Sequence, residues 1–204
     1  MVLGVAIISF SAILVRLSEA SPITVAFFRT AYALPVLWLL GKAMRRSGSR
    51  TRAQRLLAFG AGFAFAADLA AWHVAIELIG AGLATVVGSV HVVTTMAAGW
   101  LLLRQRPTSL AILATPVVIV GVVLISGFGS AEAQGDDPVL GVVFGVLTAV
   151  LYTTYVLLLR GAGTAGSSPV ESLLEATAGA TVGALLLAPL DGAFSLVPSW
   201  PSHG

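Results

Sequence analysis

Apolar residues fill the chain in long blocks that short polar segments separate. A helix needs about 20 mostly apolar residues to cross the hydrocarbon core of a bilayer. On that length the pattern predicts seven helices, at residues 2–17, 22–41, 56–79, 81–103, 108–128, 139–160 and 169–190. The block 56–103 is too long for one crossing, and we expect it to divide at Gly80-Ala81-Gly82 because glycine weakens a helix interior and permits a reversal. The predicted fold is therefore all-α, a multi-spanning bundle of about seven helices.

Composition agrees with a membrane protein. Hydrophobic residues make up 57% of the 204 residues and charged residues only 10%, whereas a soluble domain carries about 25% charged residues. The chain has no cysteine, which excludes disulfides and thiolate metal sites. We expect the lipid bilayer as its surroundings, and no cofactor, no metal and no nucleic-acid partner.

The positions of the basic residues predict the orientation of the spans, because cytoplasmic loops carry an excess of Lys and Arg. With the N-terminus inside, nine of the eleven basic residues lie on the cytoplasmic side: Lys42, Arg45, Arg46, Arg50, Arg52, Arg55, Arg104, Arg106 and Arg160. Ten of the eleven are arginine, a bias typical of high-GC bacterial genomes. We therefore expect a multi-pass protein of a bacterial plasma (inner) membrane with a cytoplasmic N-terminus.

Two segments of the chain are alike. Ser21-Pro22 opens one predicted span and Ser168-Pro169 opens another, and each follows a span that ends in leucine and arginine. The second copy comes five spans after the first, and because this offset is odd the second copy is inverted in the membrane. Inverted repeats are a common plan of secondary transporters, with the substrate site near the midplane between the repeats.

The chain contains, in this order, the motifs Ser9-Phe10-Ser11, Ser21-Pro22, Arg29, Ala71-Trp72-His73-Val74-Ala75, Ala81-Gly82-Leu83-Ala84 and Trp100-Leu101-Leu102-Leu103-Arg104-Gln105-Arg106. In these motifs the sequence resembles the EamA-type family of the drug/metabolite transporter superfamily. The family pattern has a proline about where Val92 stands and a glutamate where Gln105 stands. The resemblance implies ten helices in two inverted five-helix repeats. We therefore expect a first repeat at 1–130 and a truncated second repeat at 138–204, with two helices and a tail, completed by a missing C-terminal half or a homo-oligomer.

Ionisable side chains inside the predicted span 56–79 are candidates for function. A charge at the bilayer centre costs about 2.5–3.5 kcal/mol on insertion scales, so such groups face other helices or a water-filled cavity. At about 100° per residue, Asp68 and Trp72 share one face of the helix, and His73 and Glu77 share a roughly opposite face. We predict that Asp68 binds substrate near mid-helix, with Trp72 beside it as a stacking platform.

Three further residues complete the predicted substrate site. Arg29 either binds an anionic group, forms an ion pair with Asp68 or Glu175, or extends outward to the interface. His91 lies in the middle of its span and either relays protons or packs as a hydrogen-bonded histidine. Glu175 aligns next to the Arg29 position of the first repeat, so we expect it at the same central chamber.

Small residues predict where the helices touch. Gly141 and Gly145 lie four residues apart in one span, and Gly179 and Gly183 repeat the spacing in another. This spacing allows two helix backbones to approach closely. Its role is structural.

The leading functional hypothesis is a secondary transporter, an exporter or exchanger, that moves a small metabolite or drug-like molecule by alternating access. A carboxylate in the spans could couple this movement to protons. The alternatives are a seven-helix receptor or sensor and, less favoured, an integral-membrane enzyme that modifies lipids. Because the ionisable groups are scattered through the midplane instead of clustered at one interface, we expect that the protein is not an enzyme.

Overall fold

A computed structural model describes residues 21–43, 50–125, 137–163, 168–190 and 194. The predicted span 2–17 lies outside the described residues. The described part is all-α and has no strand, which confirms the predicted fold class. Its helices are α1 (Pro22–Ala43), α2 (Arg52–Gly88), α3 (His91–Leu103), α4 (Ser109–Ile125), α5 (Pro138–Ala162) and α6 (Pro169–Leu187), followed by a short 3₁₀ turn (Ala188–Leu190).

Four stretches of the described chain are long and apolar enough to cross a membrane: Ile23–Ala43, Arg52–Leu103, Pro138–Ala162 and Pro169–Leu187. The stretch Arg52–Leu103 has 52 residues, which as continuous helix would measure roughly 78 Å at 1.5 Å per residue. That length exceeds twice the hydrocarbon thickness of about 30 Å. A division of this stretch is therefore required.

The division falls at Gly80, as the sequence predicted. The backbone of Gly80 has φ 75° and ψ 156°, a conformation that interrupts the helical geometry of α2. A positive φ is strained for residues with a Cβ, so glycine suits this position. A second irregularity follows at Ser89 and Val90, which separate α2 from α3. The segment 81–88 thus lies between two breaks.

Helix α2 begins earlier than the apolar pattern indicates, because polar side chains cap it. The Thr51 hydroxyl accepts a hydrogen bond from the Gln54 amide at 3.3 Å. The Gln54 side chain in turn accepts from the Thr51 amide at 2.9 Å. This capping box satisfies two amides that the first turn leaves without helical partners, and it moves the start of the helix to Arg52.

Helix α2 is the centre of the bundle and packs chiefly on α5 and α6. Small residues make these contacts close. A Cβ at Gly62 would clash with the backbone of Ala176, and a Cβ at Gly179 would clash with the backbone of Phe59. The helix surfaces are therefore in direct backbone contact here, as expected for small residues at helix interfaces in membranes.

Both glycine pairs predicted as packing faces lie at close contacts between helices. A Cβ at Gly145 would lie 2.7 Å from Val87 Cγ1, and one at Gly141 would clash with Ile79. In α6, a Cβ at Gly183 would lie 2.8 Å from the Cβ of Ala66. The packing role inferred from the sequence is confirmed for α5 and α6.

Candidate functional site

A cavity of about 450 Å³ lies beside α2 at the level of Asp68. The side chain of Asp68 is buried, with the residue 6% exposed. Its Oδ1 atom has no hydrogen-bond partner among the described residues. A buried polar atom without a partner is costly, so the Asp68 side chain is a candidate for function. The described residues that line the cavity are Asp68, Leu69, Trp72, Thr85, Gly88, Ser89, His91, Val92, Thr148 and Tyr152.

Aromatic rings form part of the cavity wall. Trp72 follows Asp68 by one turn of α2, and His91 and Tyr152 come from α3 and α5. The His91 and Tyr152 rings lie 4.6 Å apart between centroids. The Tyr152 ring also contacts the Tyr155 ring, with 5.8 Å between the two centroids. These contacts fix the orientation of the rings and hold Tyr152 against the cavity.

The hydroxyl and imidazole groups of the cavity donate to the main chain. Each of four side chains donates to a backbone carbonyl: Thr85 to Ala81 at 2.7 Å, Ser89 to Val86 at 2.6 Å, Thr148 to Asp68 at 3.5 Å and His91 Nδ1 to Gly88 at 2.9 Å. A carbonyl oxygen only accepts, so the His91 Nδ1 carries the hydrogen. Since Nδ1 is the donor, neutral His91 has Nε2 free as an acceptor.

His73 and Glu77 line a second cavity of about 480 Å³, separate from the Asp68 cavity. The second cavity is lined mostly by apolar residues of α2 and α5, together with Ile23 of α1 and Leu187 of α6. His73 Nδ1 donates to the Leu69 carbonyl at 2.7 Å. The two faces of α2 distinguished by helical periodicity thus face two different spaces.

Glu175 lies away from both cavities, in an ion cluster that we call the Arg50 clamp. The clamp consists of Arg50, Arg55 and Glu175. The Arg50 side chain is 2% exposed and donates to Glu175 Oε2. The same guanidinium donates to the carbonyls of Gln54 at 3.4 Å and Ala162 at 3.3 Å. Arg55 Nε approaches the other carboxylate oxygen at 3.7 Å.

The Arg50 clamp joins three helix ends. Arg50 and Arg55 stand at the start of α2, Ala162 ends α5, and Glu175 lies in the second turn of α6. One buried guanidinium therefore ties α2, α5 and α6 together. The charges of Arg50 and Glu175 are paired, whereas the Arg50 Nε atom has no hydrogen-bond partner among the described residues.

Arg29 is exposed on α1 and has no ion pair among the described residues. Of the three alternatives for Arg29, the ion pair with Asp68 or Glu175 is therefore not formed. Gly41 of α1 contacts Val170 of α6, so Arg29 and Glu175 lie roughly 10 Å apart along the helix axes at 1.5 Å per residue.

Of the five predicted site residues, the cavity unites Asp68, Trp72 and His91. A substrate-binding role for Arg29 and Glu175 stays a prediction.

Sequence reasoning missed the contribution of α5 to the Asp68 cavity. Gly141, Gly145, Thr148 and Tyr152 recur at spacings of three and four residues, the signature of one helix face. The glycines of this face contact α2, and the two polar residues reach the cavity. The regular spacing of small and polar residues in an otherwise apolar span was the available signal.

Sequence reasoning also missed a hydroxyl cluster between α3 and α5. The Thr153 Oγ1 atom lies 2.7 Å from the Oγ1 of Thr94 and 3.1 Å from the Oγ1 of Thr95. Thr153 donates to the Ala149 carbonyl at 2.8 Å as well. Its neighbours thus donate to it across the helix interface, which fixes α3 against α5.

The fold and the site define an integral membrane protein of several apolar helices, with a cavity between α2, α3 and α5 that Asp68 lines. Residues 1–127 match the EamA-like transporter family. The match covers more than half of the chain, and the chain belongs to this family of membrane transporters, which confirms the resemblance. Comparison with curated proteins and with solved structures finds no match. Family members are transporters, which fits the expectation that this chain is not an enzyme.

Proposed function

We propose that the protein is a secondary transporter that carries a small organic molecule by alternating access, with the Asp68 cavity as the substrate site. The observation that carries the proposal is Asp68, a buried residue that lines a cavity of about 450 Å³ and whose Oδ1 atom has no partner among the described residues. Intramembrane ionisable groups are functional candidates, since their insertion costs free energy. The cavity volume falls within the range of small-molecule sites.

Breaks in the helices beside the cavity support the proposed movement. Gly80 and the Ser89–Val90 turn bound the segment 81–88, which carries Thr85 and Gly88 to the cavity. Interrupted helices mark substrate sites in many transporters. The two breaks allow the segment to change its angle relative to the rest of α2 and to α3, and that is how the cavity would open.

The packing of the two proposed repeats supports an inverted arrangement. Helices α1 and α6 follow the matching Ser-Pro pairs of the sequence, and they pack against each other. The end of α1, at Gly41, contacts the start of α6, at Val170. The equivalent helices are thus antiparallel, as a two-fold axis in the membrane plane requires.

The proposal also covers the membrane in which the protein lies and the ion to which transport is coupled. The ends that carry Lys42, Arg50 and Arg160 meet on one side of the bundle, and the positive-inside rule assigns that side to the cytoplasm. We place the protein in the inner membrane of a bacterium with its N-terminus inside, as an exporter or exchanger. The Asp68 carboxyl would bind the coupled proton.

Reconstitution tests this function. The purified chain in liposomes loaded with a bacterial metabolite extract should deplete at least one compound from the lumen, as measured by mass spectrometry. An imposed proton gradient should change the rate, and protein-free liposomes are the control. If no compound is depleted under either direction of the gradient, the protein is not a transporter of this kind.

A further inference from the structure

The polar groups around the Asp68 cavity are unevenly divided between donors and acceptors. The hydroxyls of Thr85, Ser89 and Thr148 and the Nδ1–H of His91 all donate to backbone carbonyls. Since their hydrogens are used in these bonds, the three hydroxyls and His91 can offer a ligand only lone pairs, on the hydroxyl oxygens and on His91 Nε2. The Asp68 carboxyl, whose Oδ1 atom is buried without a partner, adds further acceptors to the lining. Neutral donors remain only on Trp72 and Tyr152 among the described lining residues.

The formal charge of the described cavity lining is negative. Asp68 is the one formally charged residue among the described lining residues, and none of them is Lys or Arg. The buried cation described above, Arg50, is held in its clamp by Glu175 and two carbonyls. An anionic ligand would meet acceptors and a carboxylate, whereas a cationic ligand would supply the missing counter-charge.

The aromatic residues add a second feature that favours a cation. Ring faces attract a cation through their quadrupole, and quaternary ammonium groups are often bound by aromatic rings in this way. Trp72 and Tyr152 both line the cavity with the carboxylate of Asp68. The lining also includes Leu69 and Val92, which suit an apolar body.

We propose, on the basis of the transport function above, that the substrate is an organic monocation with an aromatic or apolar body. Asp68 is its counter-charge, and the faces of Trp72 and Tyr152 contact its cationic group. The volume of about 450 Å³ accommodates a molecule of this size and is much larger than a metal ion needs.

Three ligands of one shape test the inference. Benzyltrimethylammonium is a permanent cation, neopentylbenzene is its neutral carbon analogue, and benzylsulfonate is an anion of similar size. Binding of each to the purified chain is measured by equilibrium dialysis against empty micelles. We expect the cation to bind at least about tenfold more tightly than either other ligand, because only the cation offsets the buried carboxylate. Equal or tighter binding of the neutral or anionic ligand overturns the inference.

Binding measurements on variants test whether the cation binds at Asp68. In D68N the affinity for the cation should fall at least about tenfold and that for neopentylbenzene should stay within about twofold. The matched control is E77Q, which removes an acid from the same helix but from the other cavity, and it should bind the cation like the wild type. W72L should weaken cation binding and W72F should largely restore it. If D68N does not fold, the wild-type comparison of the three ligands still decides.

Flux measurements separate this inference from the transport function. Uptake of radiolabelled benzyltrimethylammonium into proteoliposomes supports both. Saturable binding of the cation without flux supports the cation site and contradicts the transport function. Flux of anionic or neutral metabolites with no binding of the cation supports transport and contradicts the proposed substrate class.

Discussion

Two buried charged residues of this bundle stand in opposite surroundings. Arg50 is 2% exposed on its side chain, and its guanidinium donates to a carboxylate and two carbonyls. Asp68 is 6% exposed, and its Oδ1 has no partner among the described residues. Both would be costly to bury alone. The paired charge holds helices together, whereas the unpaired charge at a cavity costs stability, which substrate binding can offset.

The largest effect should come from a change at the close contact between α2 and α6, because α2 carries Asp68 and both helices meet at the Arg50 clamp. In G62A the new Cβ would clash with the Ala176 carbonyl, so α2 and α6 must separate and the folded protein should be lost, with a cost of at least about 3 kcal/mol. The measurement is the yield of monodisperse protein in detergent. Gly60 has open space around it, so G60A is the control and should purify normally.

The next effect tests the paired charge. E175Q leaves the buried guanidinium of Arg50 without its carboxylate, and we expect the free energy of unfolding to fall by about 3 kcal/mol. Titration with SDS in mixed micelles measures it. E171Q removes an acid one turn earlier on the same helix and is the control. A loss in E175Q no greater than that in E171Q would show that the clamp is not structural.

The unpaired charge should respond in the opposite way. D68N removes a charge that lacks a partner, so the free energy of unfolding should rise by roughly 1 kcal/mol. Transport should nevertheless fall at least about tenfold, since the counter-charge of the substrate is gone. SDS titration and proteoliposome flux measure the two. Lower stability with unchanged flux would reverse the comparison between Asp68 and Arg50.

The smallest effect concerns neutral polar groups. T153V removes the hydroxyl that contacts Thr94 and Thr95, and we expect a loss of about 0.6 kcal/mol, the average for interhelical hydrogen bonds in a membrane protein. T154V on the exposed side of α5 is the control. A loss above that of E175Q would mean that hydroxyl contacts, and not the Arg50 clamp, hold the bundle.

Much of the fold followed from the sequence because its signals are local. The apolar blocks gave the helices, and Gly80 gave the break because only the backbone conformation at one residue had to be inferred. The faces of α2 followed from helical periodicity, and Asp68 and Trp72 do line a cavity that excludes His73 and Glu77.

The partners of charged residues did not follow from the sequence, because they depend on packing between distant segments. Arg50 was read as a loop residue that marks the cytoplasmic side, yet it pairs with Glu175, 125 positions further along the chain. Tyr152 was read as part of an apolar span, yet it reaches the cavity beside His91. Periodicity assigns a residue to a face of its own helix, and only the packing of the bundle decides what that face meets.

The central claim is that the Asp68 cavity opens to each side of the membrane in turn. The chain has no cysteine, so a single cysteine in place of Ser89, which lines the cavity, can be labelled with a membrane-impermeant maleimide from either side of a proteoliposome. The account predicts labelling of S89C from both sides, and of V117C, at a 71% exposed position on α4, from neither. Labelling of S89C from one side only, or from neither, would contradict it.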